Sequence, residues 1–329
     1  MRAGAWSVAA DGTLGQALDE CLRAAAAAPS IHNTQPWRFR PHGRRIDILI
    51  DRSRQLEVLD PHGRELLMSA GAAILNLRIA MLAHGRQPLL RLPPSIGAED
   101  LVASVIAGPP VQPTDTARTL ARAIARRHTS RQPFADVAIE PKLLAELSAA
   151  ARAEGGRLAM ADETTTRALL SVIHTADRRR AAEPRYRVEL ADWTSTGRDR
   201  RDGVPPQAFG PRSAFDAMPI RDFGLPYPDR IRKPATFETR PNLAVLYTTG
   251  DSPPMWLRAG QALERVLLTA TVRGLATGLF TQPIEDPELR ELLGDPHGGQ
   301  VPQAILRLGY GRPSAPTPRR PVRDLVVPG

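Results

Sequence analysis

The segment Arg127-His128-Thr129-Ser130-Arg131 sets two guanidiniums four positions apart with two hydroxyls between them. Guanidinium forks bind phosphate oxygens in a bidentate, charge-assisted way, so the segment reads as a place for an anion. Arginines closing a helix can equally cap its carbonyls. A second stretch, APSIHNTQPWRFR (28–40), ends an alanine-rich helix at Pro29 and gathers Ser30, His32, Asn33, Thr34 and Gln35. It then enters a strand through Pro36 and Trp37. That backbone suits a flat polar ligand, or simply a turn entering an edge strand. QPIE (282–285) runs into Asp286-Pro287, a good helix start in its own right. TPRRP (317–321) supplies Arg319 and Arg320, either further anion ligands or a charged tail.

Other chemistry is poorly represented. A single cysteine, Cys21, allows no internal disulfide and no cysteine cluster. The seven histidines have no metal-ligand spacing, and neither a G-x-G-x-x-G nor a Walker loop occurs. The PHG triplets at 41–43, 61–63 and 296–298 read as turns. The net charge of +9 does not point to nucleic acid. Nearly all the basic residues are arginine (only Lys142 and Lys233 are lysine), they are interleaved with Asp and Glu, and aromatics make up 5%. No unbroken apolar run of roughly 18–20 residues is present, and the N-terminus has too short an apolar run for a secretory signal. A soluble, cytoplasmic protein is the expectation.

The elements that must position these residues alternate between helix and strand, which predicts an α/β or α+β architecture. Helices are expected over 13–28 (with Asp11 or Thr13 as caps), 64–84, 116–127, 140–154, 163–181, 254–273 and 286–293. Strands are expected over 45–51, 101–107, 242–248 and 301–308, with a short apolar segment at 275–280. GPPVQPTDT (108–116) is a linker. Residues 183–240, rich in Pro, Gly and Arg with scattered Trp193, Phe209, Phe215, Phe223 and Tyr227, read as one long structureless segment: a lid, a binding loop or disorder.

A repeat underlies this order. SAGAAILNLRIAMLAHG (69–85) aligns with RAGQALERVLLTATVRG (258–274) at an offset of 189, with Ala70/Ala259, Gly71/Gly260, Ala73/Ala262 and Gly85/Gly274 identical. LDECLRAAAAA (18–28) and LAELSAAARAE (144–154) give a weaker echo. The chain reads as two related halves, 1–110 and 111–329.

Three separated stretches, APSIHNTQPWRF (28–39), RRHTSRQPF (126–134) and GLATGLFTQPIE (274–285), resemble the FMN-binding nitroreductase-like oxidoreductases. The order of the motifs, together with the repeat, resembles the fused Acg-type branch, in which one chain imitates the usual homodimer. The resemblance implies an α+β nitroreductase-like fold with mixed or antiparallel sheets flanked by helices. It implies that Arg127, Arg131 and one of the late pair Arg319 and Arg320 serve the FMN phosphate, with Thr129 in the place of the family's Ser in the same cofactor-binding segment. It also implies that Pro29, Ser30 and Asn33 contact the flavin from the other half, and that the loop Pro283, Ile284, Glu285 lies near the reactive ring edge. Residues 1–20 hold no Arg-x-Ser-x-Arg, and EGGRLAM (154–160) stands where a second turn would be. One FMN per chain is therefore expected, in a monomer that resembles a fused dimer.

Two functions follow from the resemblance. In one, NAD(P)H reduces FMN, which passes electrons to a nitro-aromatic, quinone or other planar acceptor. In the other, the protein sequesters FMN beneath a lid formed by 183–240. Asp286, where the family has Gly, is expected to crowd the approach to the flavin and so to favour restricted access.

Overall fold

Alanine-rich α1 (Gln16–Ala26) buries Leu18, Cys21, Leu22, Ala25 and Ala26 along one face, the spacing of an amphipathic helix on a core. This computed structural model describes residues 6–8, 15–93, 97, 100–194, 200–294, 299–312 and 314–328. Asp11, Thr13, the PHG triplet at 296–298 and the Phe215 side chain lie outside the described residues.

After α1 come the hairpin strands β1 (Trp37–His42) and β2 (Arg45–Ile50), paired from Trp37–Ile50 to His42–Arg45. Helix α2 (Arg64–Ala83) leads to β3 (Arg86–Arg91) and β4 (Leu101–Pro110). These strands form an antiparallel sheet of order β1-β2-β4-β3. Helix α3 (Asp115–Ile124), whose first turn donates from Ala117 N to Thr114 Oγ1 at 3.1 Å, packs on the central helices of both halves.

The second half begins with α4 (Pro141–Ala153) and β5 (Arg157–Met160). There follow α5 (Glu163–Ala182), α6 (Pro184–Thr194) and the two-residue parallel pair β6 (Arg212–Ser213) and β7 (Pro234–Ala235). Then come β8 (Asn242–Thr248), α7 (Pro253–Val272), β9 (Ala276–Phe280), α8 (Pro287–Leu292) and β10 (Val301–Gly309). The second sheet has the order β5-β8-β10-β9, again antiparallel throughout. With α3, α5 to β7 and α8 set aside, each half runs helix, strand, strand, helix, strand, strand with the same strand order.

The helices α2 and α7 meet at Gly71 and Gly260. A Cβ on Gly260 would stand 1.9 Å from the Met68 carbonyl oxygen, and one on Gly71 would stand 2.2 Å from that of Leu257. Only glycine permits backbones to approach this closely. By length and composition α2 could span a membrane, but 83% of its apolar window is buried inside the protein. A helix lying between two packed layers is apolar all round for that reason.

Residues 183–240 are not the structureless stretch expected. Tyr186, Leu190, Val204, Phe209 and Phe223 form a core with Leu56 and Leu59 of the first half. Their apolar partners lie far off in sequence, so no local periodicity marks them. Strands β3 and β5 also form outside the expected list. β3 carries Pro88 and sits at a sheet edge, where a missing N–H is tolerated.

Candidate functional site

Two cavities share a wall where the halves meet, and Pro29, Ser30, His32, Thr129 and Arg131 line both. The larger is mostly apolar. Its walls come from α2 (Glu65, Met68, Ser69, Ala72), α7 (Leu263), β9 (Gly278, Leu279, Phe280) and the insertion (Ile220, Arg221, Phe223). The smaller is polar, with Asn33, Arg127, His128, Thr317 and Arg319 on its walls.

Local geometry explains how the shared wall is built. His32, Asn33 and Gln35 adopt φ of 45°, 56° and 51°, left-handed backbone that non-glycine residues rarely take. Several bonds hold that turn. Ser30 Oγ accepts from Gln35 N at 2.9 Å, and Ile31 N donates to Ser69 Oγ at 3.2 Å. The segment 127–131 leaves α3 and runs beside β9, where Ser130 N donates to the Thr277 carbonyl at 2.7 Å. The C-terminal tail returns to the first half along β1, with Phe39 N donating to the Leu325 carbonyl at 2.8 Å. Motifs a hundred and more residues apart thereby reach one place.

The polar cavity carries an excess of positive charge. Arg127, Arg131, Arg319 and His128 line it, and the carboxylate beside them is Glu264, whose Oε1 lies 3.4 Å from Arg127 Nε. Arg127 Nε and Arg319 Nε are buried without hydrogen-bond partners. Burial, with Arg127 close by, pushes Arg319 down to about 9. Burial and Arg221 push Arg131 down to about 10. Burial, and then Arg127 and Arg319, lower His128 below the ordinary histidine range. Each shift has the sign of a buried group crowded by neighbouring cations.

His32 stands at the junction of the cavities, 4% exposed, with neither ring nitrogen hydrogen-bonded. Its ring meets the Phe223 ring edge-on, centroids 5.0 Å apart. Burial, then Arg221 and Arg131, hold it well below the usual histidine value, so the imidazole is neutral.

Most of the sequence-predicted residues converge here, and some do not. Pro29, Ser30, Thr129 and Arg131 face both cavities, and Asn33, Arg127 and Arg319 face the polar one. Asn33, expected to contact a ligand, is already fully engaged. Its Nδ2 donates to the Gly203 and Pro318 carbonyls at 2.9 and 3.0 Å, and its Oδ1 accepts from Arg319 Nη1 at 2.9 Å. It ties turn, insertion and tail together. Replacing Asn33 with Ala should destabilise the fold by about 2–3 kcal/mol, since buried carbonyls lose their donor; urea unfolding measures the loss, and limited proteolysis should cut first in the insertion.

Arg320 lies off both cavities; its N–H donates to Gln35 Oε1 at 2.8 Å, and its guanidinium to the Asp324 carbonyl at 3.1 Å. Pro283 and Ile284 are buried behind the wall, Ile284 within the hydrophobic cluster under β10. The wall at that point is Gly278 to Thr281, because β9 already passes the cavity before the loop begins. Glu285 is one layer back, paired with Arg221 and accepting from Thr281 Oγ1 at 2.6 Å. Asp286 does not crowd the cavity. It caps α8, accepting from Glu288 N and Leu289 N, and pairs with Arg179 at 2.9 Å. His32, Glu65, Arg221 and Phe223 are among the wall residues not singled out as ligands from sequence. His32 was within reach, since it lies inside the turn.

The arrangement can hold an elongated molecule with an anionic head among the arginines and a flat apolar body between α2, α7 and β9. Among curated proteins, a Mycobacterium tuberculosis protein named "Putative NAD(P)H nitroreductase" is 31% identical over 312 residues, covering 93% of this chain and 89% of its own. A second from the same organism, "Putative NAD(P)H nitroreductase acg", is 29% identical over 319 residues, covering 94% of each. Among solved structures, an FMN-bound nitroreductase from Desulfitobacterium hafniense aligns over 64% of this chain and 97% of its own, at 16% identity and a TM-score of 0.36. No family model matches the chain. On the identity and coverage of its mycobacterial relatives, the chain belongs to the NAD(P)H nitroreductases, in the branch that includes the acg protein.

Proposed function

We propose that the protein is an FMN-dependent NAD(P)H oxidoreductase that binds one FMN across the two joined cavities. The observation that carries this reading is the cluster of Arg127, Arg131 and Arg319, three guanidiniums with the carboxyl of Glu264 beside Arg127, opening onto an apolar slot. A phosphate dianion relieves that charge, and a planar ring fills the slot beside Met68, Leu263 and Phe280. When bound, the flavin supplies hydride and electron transfer from a nicotinamide donor to a planar acceptor. The chain supplies the anion clamp, the neutral His32 as a hydrogen-bonding group between head and ring, and walls that exclude water.

The matching topology of the halves supports reading them as related units, split near residues 108–116, whose one composite site draws its phosphate ligands from 111–329 and its turn from 1–110. A monomer that imitates a dimer follows from that reading.

One observation favours the sequestering alternative: Ile220, Arg221 and Phe223 bring the insertion onto the cavity wall, and the turn clasps it through Asn33 and Gly203. Anaerobic addition of NADPH or NADH to the flavin-loaded protein separates the two. Bleaching of the flavin band supports the reductase. Bleaching by dithionite alone supports sequestration.

A further inference from the structure

The wall of the larger cavity contains one feature that flavin binding does not account for. Glu65, in the first turn of α2, is 5% exposed and lines the cavity. Its Oε1 accepts from Arg64 Nη2 at 2.7 Å, while its buried Oε2 has no hydrogen-bond partner. A buried carboxylate oxygen without a donor is strongly disfavoured. With a proton on it, the same oxygen becomes a donor to whatever lies in the cavity.

We propose that Glu65 is the proton donor to the electron acceptor, a planar molecule such as a quinone whose oxygen takes up a proton as it is reduced. This rests on the oxidoreductase reading above. Of the described residues lining the larger cavity, Glu65 is the one carboxyl. His32, the other candidate acid there, is held neutral.

The surroundings keep the proton on Glu65. Asp60 lies in the turn before α2, Glu285 follows β9, and Arg64 and Arg221 are the cations facing the group. Arg64 also donates to the Gln303 carbonyl at 2.8 Å. Arg221 is shared among Glu285, Thr281 Oγ1 and Tyr186 Oη. Two guanidiniums thus serve more carboxyls than they can neutralise. Burial, and then the negative charge of Glu285, push Glu65 up to about 8.

The step balances simply. The quinone accepts a hydride equivalent, two electrons and one proton, from the reduced cofactor. The Glu65 O–H bond breaks and its proton goes to the quinone oxygen that carries the negative charge. The products are hydroquinone and the Glu65 carboxylate, which solvent reprotonates. Quinone is reduced and the nicotinamide donor is oxidised overall.

Glu65→Gln keeps the shape and a hydrogen-bond donor but has no proton to give. Stopped-flow oxidation of the reduced, flavin-loaded protein by a benzoquinone should slow about 100-fold, the low end of general-acid effects. Wild-type rate should fall as pH rises through about 8, and the variant should lose that limb. Ferricyanide, which takes electrons without a proton, should show no comparable loss, and this arm also verifies that the variant is folded and loaded. In flavin-free protein, carbon-13 NMR of labelled glutamate carboxyls should show one group titrating near 8 that is absent from Glu65→Gln. Equal quinone rates and an unchanged pH limb in the variant would overturn the inference while leaving the flavin reading intact. A wild-type protein that takes up no flavin would overturn both.

Discussion

Replacing Arg127 and Arg131 together with Ala should give a folded protein that no longer retains FMN. Each guanidinium is expected to contribute a charge-assisted hydrogen bond to the phosphate, about 1.5–3 kcal/mol. Two of them amount to a loss of roughly 10²–10⁴ in affinity. The fold should survive because the charge left behind has an outlet. Glu264, 3.4 Å from Arg127, is pushed up to about 7 by burial, against the pull of that arginine. Without the arginine it takes a proton rather than remaining a buried anion. Arg320→Ala is the matching control, since Arg320 lines neither of these cavities. Its affinity for FMN should stay within about twofold of wild type. Fluorescence titration of FMN, with circular dichroism for folding, measures both. If the double variant retains flavin as the wild type does, the polar cavity is not the phosphate site.

The largest expected loss of stability comes from one methyl group. In Gly260→Ala the new Cβ would stand 1.9 Å from the Met68 carbonyl oxygen and 2.8 Å from Met68 Cα. The obstacle is backbone on a neighbouring helix, so no side chain can swing away. α2 and α7 must separate along the seam that carries Glu65, Met68 and Leu263. A destabilisation of ~4 kcal/mol or more is expected, beyond ordinary overpacking. Gly274→Ala serves as the contrast within the same repeat. Its φ is 73° but nothing lies within 4 Å of the added Cβ, so only the conformational penalty of about 1–2 kcal/mol applies. Denaturant unfolding of the pair distinguishes close approach from backbone preference. Similar losses for both would mean that the helix crossing tolerates a wider gap.

The repeat that suggested these glycines shows how much could be read before any coordinates. Apolar spacing located α2 and α7, and the apolar run NLAVLYT matches the bounds of β8, whose side chains are buried on both faces. The turn at 29–37 and the segment 127–131 stood out because polar and cationic side chains crowd there, although several of them, Asn33 above all, hold the backbone together. Other parts left no local trace. β3 contains a proline and β5 is four residues long, both below what alternation can detect. The insertion borrows Leu56 and Leu59 for its core, so its order depends on residues over a hundred positions away. Glu65 looks like any acidic residue in a first helical turn. Its environment is created by Glu285 and Arg221 arriving from distant segments. Arg320 and the loop 283–285 show the opposite error, in which a motif marks the neighbourhood while the wall is made by residues beside it.

The central claim is that one flavin joins the two cavities. The direct measurement is a visible absorption titration of the purified, flavin-stripped chain with FMN, followed by gel filtration. The account predicts a yellow complex that saturates at one FMN per monomeric chain. A chain that stays colourless after excess FMN, or one that saturates at two, would contradict it.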